Sequence, residues 1–512
     1  MSDIFISLAD SLVDLLGEAA YITPEILMMI AALLAPLLFF ISKKGTVPAL
    51  FSLIMMALSG VFTACMMHAV DYGTAFGMFR FDGFSSLMML LFLMVGALFV
   101  FISPAHCETT RHQGEYYALI SGVVASMMFV VSADNLLAIF VGVEVVSIFS
   151  YALTAMKKND PRASEAAVKY LIFGALSSAL TLYGMSMIYG VTGTIDLYGP
   201  NGIVAQLQTV QTSWAFVIGV VGMLAGYGFK ISAVPFHSWA PDVYEGASTP
   251  VSGILATGSK KMGFAVMFKI FLVMFVALQT HVISEDFQMV FAIIAAITMT
   301  VGNVVAISQS NIKRMLAYSS IAQAGYILIS LAIMTSYATV GGLFHMFTHV
   351  FMKGGAFVVV AALITAGVGE KIEDYNGLAK RSPFTAAVML LFLFSLAGIP
   401  PLAGFASKFV LFGSTIWDPA TGTVSLQWLW LTLVAVLNSA ISLYYYARVV
   451  KAMYIEKPKC EDKLVIGKPF IIAMAVCALG VIILGLYPNV LLDLCEVAAG
   501  ELGKLAGLGV TF

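Results

Sequence analysis

The chain alternates long apolar runs with short polar connections. Each run lasts about 18–25 residues, the length an α-helix needs to cross the hydrocarbon core of a bilayer. The runs are continuous and lack the every-second-residue alternation of an outer-membrane barrel strand. About fourteen are expected, at roughly 24–42, 47–68, 84–103, 116–132, 135–156, 166–190, 212–234, 249–278, 287–308, 316–334, 339–367, 383–412, 427–447 and 469–490. The expected fold class is therefore all-α, a polytopic membrane protein. Prolines near 234 and 400 fall in or at the edge of spans seven and twelve, where they free backbone hydrogen-bonding groups.

The polar connections test the count. Lys43, Lys44, Arg111, Lys157, Lys158, Arg162, Lys313, Arg314, Lys371, Lys380, Arg381, Arg448, Lys451, Lys457, Lys459, Lys463 and Lys468 all follow an odd-numbered span. The opposite side holds Arg80 and Lys504. The positive-inside rule then puts the odd-to-even loops in the cytoplasm and both termini outside. The loop expected after span seven, "HSWAPDVYEGAS", breaks the pattern, with no Lys or Arg.

Composition agrees. The 512 residues are 60% hydrophobic and 11% charged, which no soluble domain of this size matches. A net charge of −2 gives no reason to expect nucleic acid. Cys65, Cys107, Cys460, Cys477 and Cys495 show no metal-binding spacing, so no iron–sulfur or zinc site is expected from this chain. No P-loop or GxGxxG stands out. The acidic N-terminus does not read as a cleaved signal peptide.

Candidate chemistry lies inside the spans. Lys169, Lys230, Lys260, Lys261, Lys269, Lys353 and Lys408 fall within apolar runs, with His345 and His349; Glu144 is the one carboxylate read as well inside a run. Ionisable groups at membrane depth are rare and line bundle interiors or hydrated paths. Glu144 either pairs with a lysine or hydrogen-bonds as a neutral acid. Lys230 precedes the break at Pro235 and His237; it either carries a proton or snorkels to the nearby edge. Lys260 and Lys261 point about 100° apart on a helix, so one is expected on the path and the other as a structural partner. His345, His349 and Lys353 recur at i, i+4 and i+8 and form one stripe, either a proton wire or a packed polar seam. A metal would need a third ligand that the sequence does not suggest. Pro400, Pro401 and Lys408 repeat the theme of a break plus a lysine, which points to paired units, spans four to eight and nine to thirteen. Lys169 has Glu165 four residues earlier, a local ion pair.

The stretches "GVEVVSIFSYAL", "EAAVKYLIFGALSSALTLYGMSMIYGVTGT", "GFKISAVPFHSWAPDVYEGASTPV", "QSNIKRMLAYSSIAQAGY" and "SLAGIPPLAGFASKF" run through about residues 110–415. With them the chain resembles the antiporter-like membrane subunits of respiratory complex I, of the subunit N type (mitochondrial subunit 2). The resemblance implies two inverted five-helix half-channels, broken helices seven and twelve, and a hydrated central axis. It implies four parts: 1–110 with spans one to three, 111–280 as the first half-channel, 281–450 as the second, and 451–512 with span fourteen and a tail. It gives Glu144 the helix-five glutamate role, Lys230 the helix-seven lysine role, Lys260 the connecting role and Lys408 the exit role. The His345–His349–Lys353 stripe looks more like the sister subunits L and M, and Lys408 stands where subunit M has a glutamate.

The expected function is proton translocation in a quinone-linked oxidoreductase fed by NADH, reduced coenzyme F420 or ferredoxin. This chain would perform no redox chemistry and have no catalytic residue of its own. Quinone, flavin and iron–sulfur clusters would belong to partner subunits. The partners implied are L- and M-type and small K-, J-, A- and H-type membrane subunits and a peripheral redox arm, in a prokaryotic cytoplasmic membrane. Glu144 and Lys230 would form a switchable ion pair; at about 4 Å and an effective dielectric near 20 it is worth on the order of 4 kcal/mol. The alternatives are a subunit of a multi-subunit sodium/proton antiporter, and a membrane scaffold that transports nothing.

Overall fold

The computed structural model describes residues 17–69, 73–106, 112–207, 213–278, 282–419, 422–458 and 462–505. Arg111, Lys459, Cys107, Cys460, the N-terminal residues read against a signal peptide, and the part boundaries at 110 and 280 lie outside them.

Among the described residues, twelve helices are long and apolar enough to cross a membrane. They fall where spans one to seven, nine to eleven, thirteen and fourteen are expected. The other two expected spans are present but interrupted. Span eight, 249–277, is one helical path divided by two π-turns, Leu255–Ser259 and Phe268–Leu272. Span twelve is two half-helices, Pro383–Ala397 and Ala403–Gly413. The protein is thus an all-α membrane bundle with fourteen crossing segments. Two short hairpins, Gly73–Ala75 with Phe79–Phe81 and Trp417–Asp418 with Thr423–Val424, join spans at their ends.

Span seven ends its first half at Ile231, and Ser232 takes a left-handed φ of 58°. The stretch read as a loop without Lys or Arg is largely a helix: Trp239–Gly246 forms the second half of the span, with Trp239, Ala240, Val243 and Tyr244 buried. It is too short to show a helical period, and Pro241 and Gly246 disguise it as a turn.

Span six, Pro161–Thr192, has 32 residues. At 1.5 Å per residue it is about 48 Å long, well beyond the ~30 Å hydrocarbon core. Lys169 lies in its third turn and is partly exposed, so it sits at the membrane edge rather than at depth. A further helix, Asn489–Leu505, follows span fourteen and packs one face, Leu491, Cys495, Ala498 and Leu502, against the bundle. Sequential neighbours pair in both expected units: four with five and six with seven, then nine with ten and eleven with twelve.

Candidate functional site

Lys230 stands in the last turn of the first half of span seven and is 4% exposed. Breaking the helix there leaves backbone groups to satisfy. Val234 N–H donates to Thr298 Oγ1 of span nine at 3.0 Å, and Trp239 Nε1 donates to the Phe229 carbonyl at 2.9 Å. The Lys230 ammonium donates to Ser147 Oγ at 2.6 Å. Glu144 lies one turn before Ser147 on span five, and its carboxylate accepts from Ser178 of span six. The expected ion pair is therefore open in this structure: a serine partners each member. Both line one small cavity, with Tyr151, Thr181 and Tyr227, which has room for about one water molecule. Glu144 is only half-buried, between the exposed apolar residues Val141 and Ile148.

The centre of the molecule collects bases. Lys260, Lys261, His345, His349 and Lys353 are each at most 1% exposed. The π-turn Leu255–Ser259 directly precedes Lys260, and a second, Val350–Gly354, contains Lys353. A π-turn fits an extra residue into one turn of a helix. Lys353 donates to Leu316 O at 3.0 Å and Ser319 Oγ at 2.6 Å on span ten. His345 and His349 do share a face, with ring centroids 6.3 Å apart. Lys261 lies within electrostatic reach of both histidines, and Lys260 of His349 and Lys353. Both lysines therefore act electrostatically on the same group of bases. Lys260 Nζ and both ring nitrogens of His349 are buried without a protein hydrogen-bond partner. Buried polar groups of this kind are satisfied by internal water.

His345 leads to the second break. Its Nε2 lies 2.9 Å from Gln323 Oε1 and its Nδ1 2.9 Å from Ser407 Oγ, next to Lys408. The Lys408 ammonium reaches back from the second half of span twelve. It donates to Leu396 O at 2.8 Å, Ala397 O at 3.2 Å and Ser439 Oγ at 2.9 Å, beneath the Tyr326 ring. Leu396 and Ala397 close the first half-helix, whose unpaired carbonyls carry negative partial charge and attract a cation. Pro400 and Pro401 form the connection between the halves. Gly404 makes the break possible: a Cβ there would sit 1.8 Å from the Ser395 carbonyl oxygen.

His237 is half-buried beside Pro235 in the first break, within electrostatic reach of Lys260. Lys169 is not on this path; it pairs with Glu165 at 2.7 Å, as its spacing suggests, and with Asp242 at 2.7 Å. Glu25, Lys313 and Lys269 are further buried charges to which the sequence reading gave no role. Glu25, in the first turn of span one, is fully buried and accepts from Ser132 at 3.0 Å. Lys313, counted as a loop residue, is fully buried and donates to Glu245 O and Ala247 O. Lys269 was noted as lying within a span but given no role. It satisfies the last carbonyls of span four, Val131 and Ala133, beside Asp134.

Comparison with known proteins adds a lineage to this geometry. The model of the family described as NADH:quinone oxidoreductase/Mrp antiporter, TM, matches residues 133–442. The F(420)H(2) dehydrogenase subunit N of Methanosarcina mazei is 38% identical over 509 residues, 94% of this chain and 98% of that one. The NADH-quinone oxidoreductase subunit N of Desulfitobacterium hafniense is 37% identical over 95% of this chain and 99% of its own. Respiratory complex I from Thermus thermophilus contains a chain that superposes with a TM-score of 0.77 at 28% identity, covering 93% of this chain and all of that one. A chain of the Mrp complex from Dietzia superposes with a TM-score of 0.81 at 20% identity over 96% of this chain and 99% of that one, a likeness of fold.

Proposed function

We propose a function for this chain from one premise: it belongs to the NADH:quinone oxidoreductase/Mrp antiporter transmembrane family. It is a non-redox, proton-translocating membrane subunit of a complex I-type oxidoreductase. Its protons move along the buried axis Glu144, Lys230, Lys260, His345, His349, Lys353 and Lys408. The observation that carries this reading is the row of buried bases between two helix breaks, with the orphaned Lys260 and His349 nitrogens midway. Lysine and histidine can each hold and release a proton when desolvated. Uptake is from the cytoplasm, near Lys230, and release is to the outside, near Lys408.

The half-buried Glu144 supports membrane partners on the span-five face. A carboxylate beside lipid-exposed Val141 and Ile148 is costly at membrane depth until another helix covers it. We assign that cover, and its control of Glu144, to a neighbouring subunit of the small membrane type. L- and M-type subunits extend the bundle, and flavin, iron–sulfur clusters and quinone are handled by the redox partners. The two half-channels divide at about residue 280, and the setting is a prokaryotic cytoplasmic membrane with both termini outside. An antiporter subunit is the second reading, since the family includes Mrp proteins. The near-full-length relatives at 37–38% identity favour the oxidoreductase.

Glu144→Ala tests the reading. With the complex assembled and electrons supplied, protons pumped per electron fall sharply in sealed vesicles, because Lys230 loses its counter-charge. Glu144→Asp is milder. Full pumping per electron in Glu144→Ala refutes the switch.

A further inference from the structure

The second half of span seven carries Asp242 and Glu245 but no base of its own, and its neighbours supply the missing charge. Asp242 Oδ2 lies 2.7 Å from Lys169 Nζ of span six, and Asp242 Oδ1 lies 2.7 Å from Arg314 Nη1 of span ten. Arg314 also bonds Glu245 Oε2 at 2.8 Å. Asn311 Nδ2 donates to Glu245 Oε1 and Glu370 Oε2, each at 3.1 Å. Buried Lys313 donates to Glu245 O at 2.6 Å and pairs with Glu370 at 3.2 Å. One carboxylate is thus gripped from both sides, by a base of the first unit and a base of the second.

The grip sits one residue from the proton carrier's surroundings. Trp239 and Asp242 are three residues apart, so they share a face of their half-helix. Lys169 and Tyr170 are consecutive on span six. While Lys169 holds Asp242, the Tyr170 ring stacks on Trp239, with centroids 4.5 Å apart and planes 4° from parallel. Both rings also pack with Phe229. The Lys230 ammonium lies 6.0 Å from the centre of the Tyr170 ring. Span ten, which supplies Arg314, also holds Lys353 through Leu316 and Ser319. The same helix therefore touches the first break and the second unit's relay.

We propose that Asp242 and Arg314 are positioning residues for Lys230. With Lys169 they clamp the second half of span seven between spans six and ten, and the Tyr170–Trp239 stack passes that placement to the lysine. A broken helix has few hydrogen bonds of its own across the break, so its geometry is set by what holds the far half. Freeing Asp242 lets the half-helix and its tryptophan shift, and Lys230 no longer faces Ser147 and the Glu144 cavity. The proposal rests on Lys230 being a proton carrier, as argued above.

The test uses the assembled complex in sealed vesicles, with electron transfer, proton pumping and complex content measured separately. The variants are Asp242→Asn, which keeps the shape and removes the charge, Arg314→Met, Arg314→Lys, and Lys230→Met as reference. A Lys230→Cys probe, with and without Asp242→Asn, reports thiol alkylation from the cytoplasmic side. The expected result is fewer protons per electron in Asp242→Asn and Arg314→Met, partial recovery in Arg314→Lys, and severalfold faster alkylation when Asp242 is neutralised. Normal protons per electron in both clamp variants overturns the proposal. So does a loss that merely tracks the amount of assembled complex with an unchanged ratio and unchanged alkylation, since that describes a structural brace. If Lys230→Met itself pumps normally, the carrier reading fails instead, whatever the clamp variants do.

Discussion

A buried lysine is useful here for the property that makes it costly, a charge it can give up. Lys408 illustrates the point. Its ammonium is held by two half-helix carbonyls and Ser439, and no carboxylate is among these partners. Arginine would satisfy the same carbonyls but stays charged. Lys408→Arg therefore slows pumping by about tenfold or more, equivalent to at least ~1.4 kcal/mol on the barrier. Quinone-linked turnover falls with it where the two are tightly coupled. Normal pumping by Lys408→Arg would make the lysine an electrostatic fixture. The buried bases were legible in the sequence because a charge within an apolar run has few bland explanations. Glu25 was not, because it stands at the mouth of its span, next to an acidic N-terminal stretch. Lys313 was not, because "QSNIKR" has the composition of a connection. Its burial comes from the half-helix ending at Gly246, far away in sequence.

Helix breaks and helix defects differ in how they announce themselves. The breaks in spans seven and twelve carry proline, whose missing N–H and fixed φ mark them in any sequence. The π-turns in spans eight and eleven have no residue signature, yet all three adjoin or contain a buried lysine: Lys260, Lys269 and Lys353. The stripe expected at i, i+4 and i+8 assumed an unbroken α-helix; a π-turn that contains Lys353 follows His349, and Lys353 meets span ten at Ser319 as His345 does at Gln323. Likewise, "HSWAPDVYEGAS" lacked Lys and Arg because a half-helix packed inside the protein borrows its counter-charges from spans six and ten. The second break depends on Gly404, which donates its N–H to Ser395 Oγ at 3.0 Å. Gly404→Ala places a methyl against the Ser395 carbonyl, an overpacking that costs about 1–3 kcal/mol. The expected outcome is less assembled complex on a native gel and a lower melting temperature; an unchanged melting temperature would show that the break can open to admit a methyl.

At the scale of the whole molecule, the two breaks bracket the base cluster, one in each unit. The alternation of basic loops is the ground for the proposed orientation, with the Lys230 end inside and the chain termini outside. A cysteine introduced at exposed Pro200, between spans six and seven, is expected to react with an impermeant probe from the outside; labelling from the cytoplasm contradicts the orientation. What moves the protons lies beyond this chain, so its role is best read from protons counted against electrons. Lys260 is the decisive residue, since it lies between the two proposed units and its ammonium has no protein hydrogen-bond partner whose loss would confuse the result. The most direct measurement is the number of protons pumped per electron by Lys260→Met in sealed vesicles, with assembly verified. Translocation through the buried axis requires that ratio to fall well below that of the unaltered complex, and an unchanged ratio would contradict it.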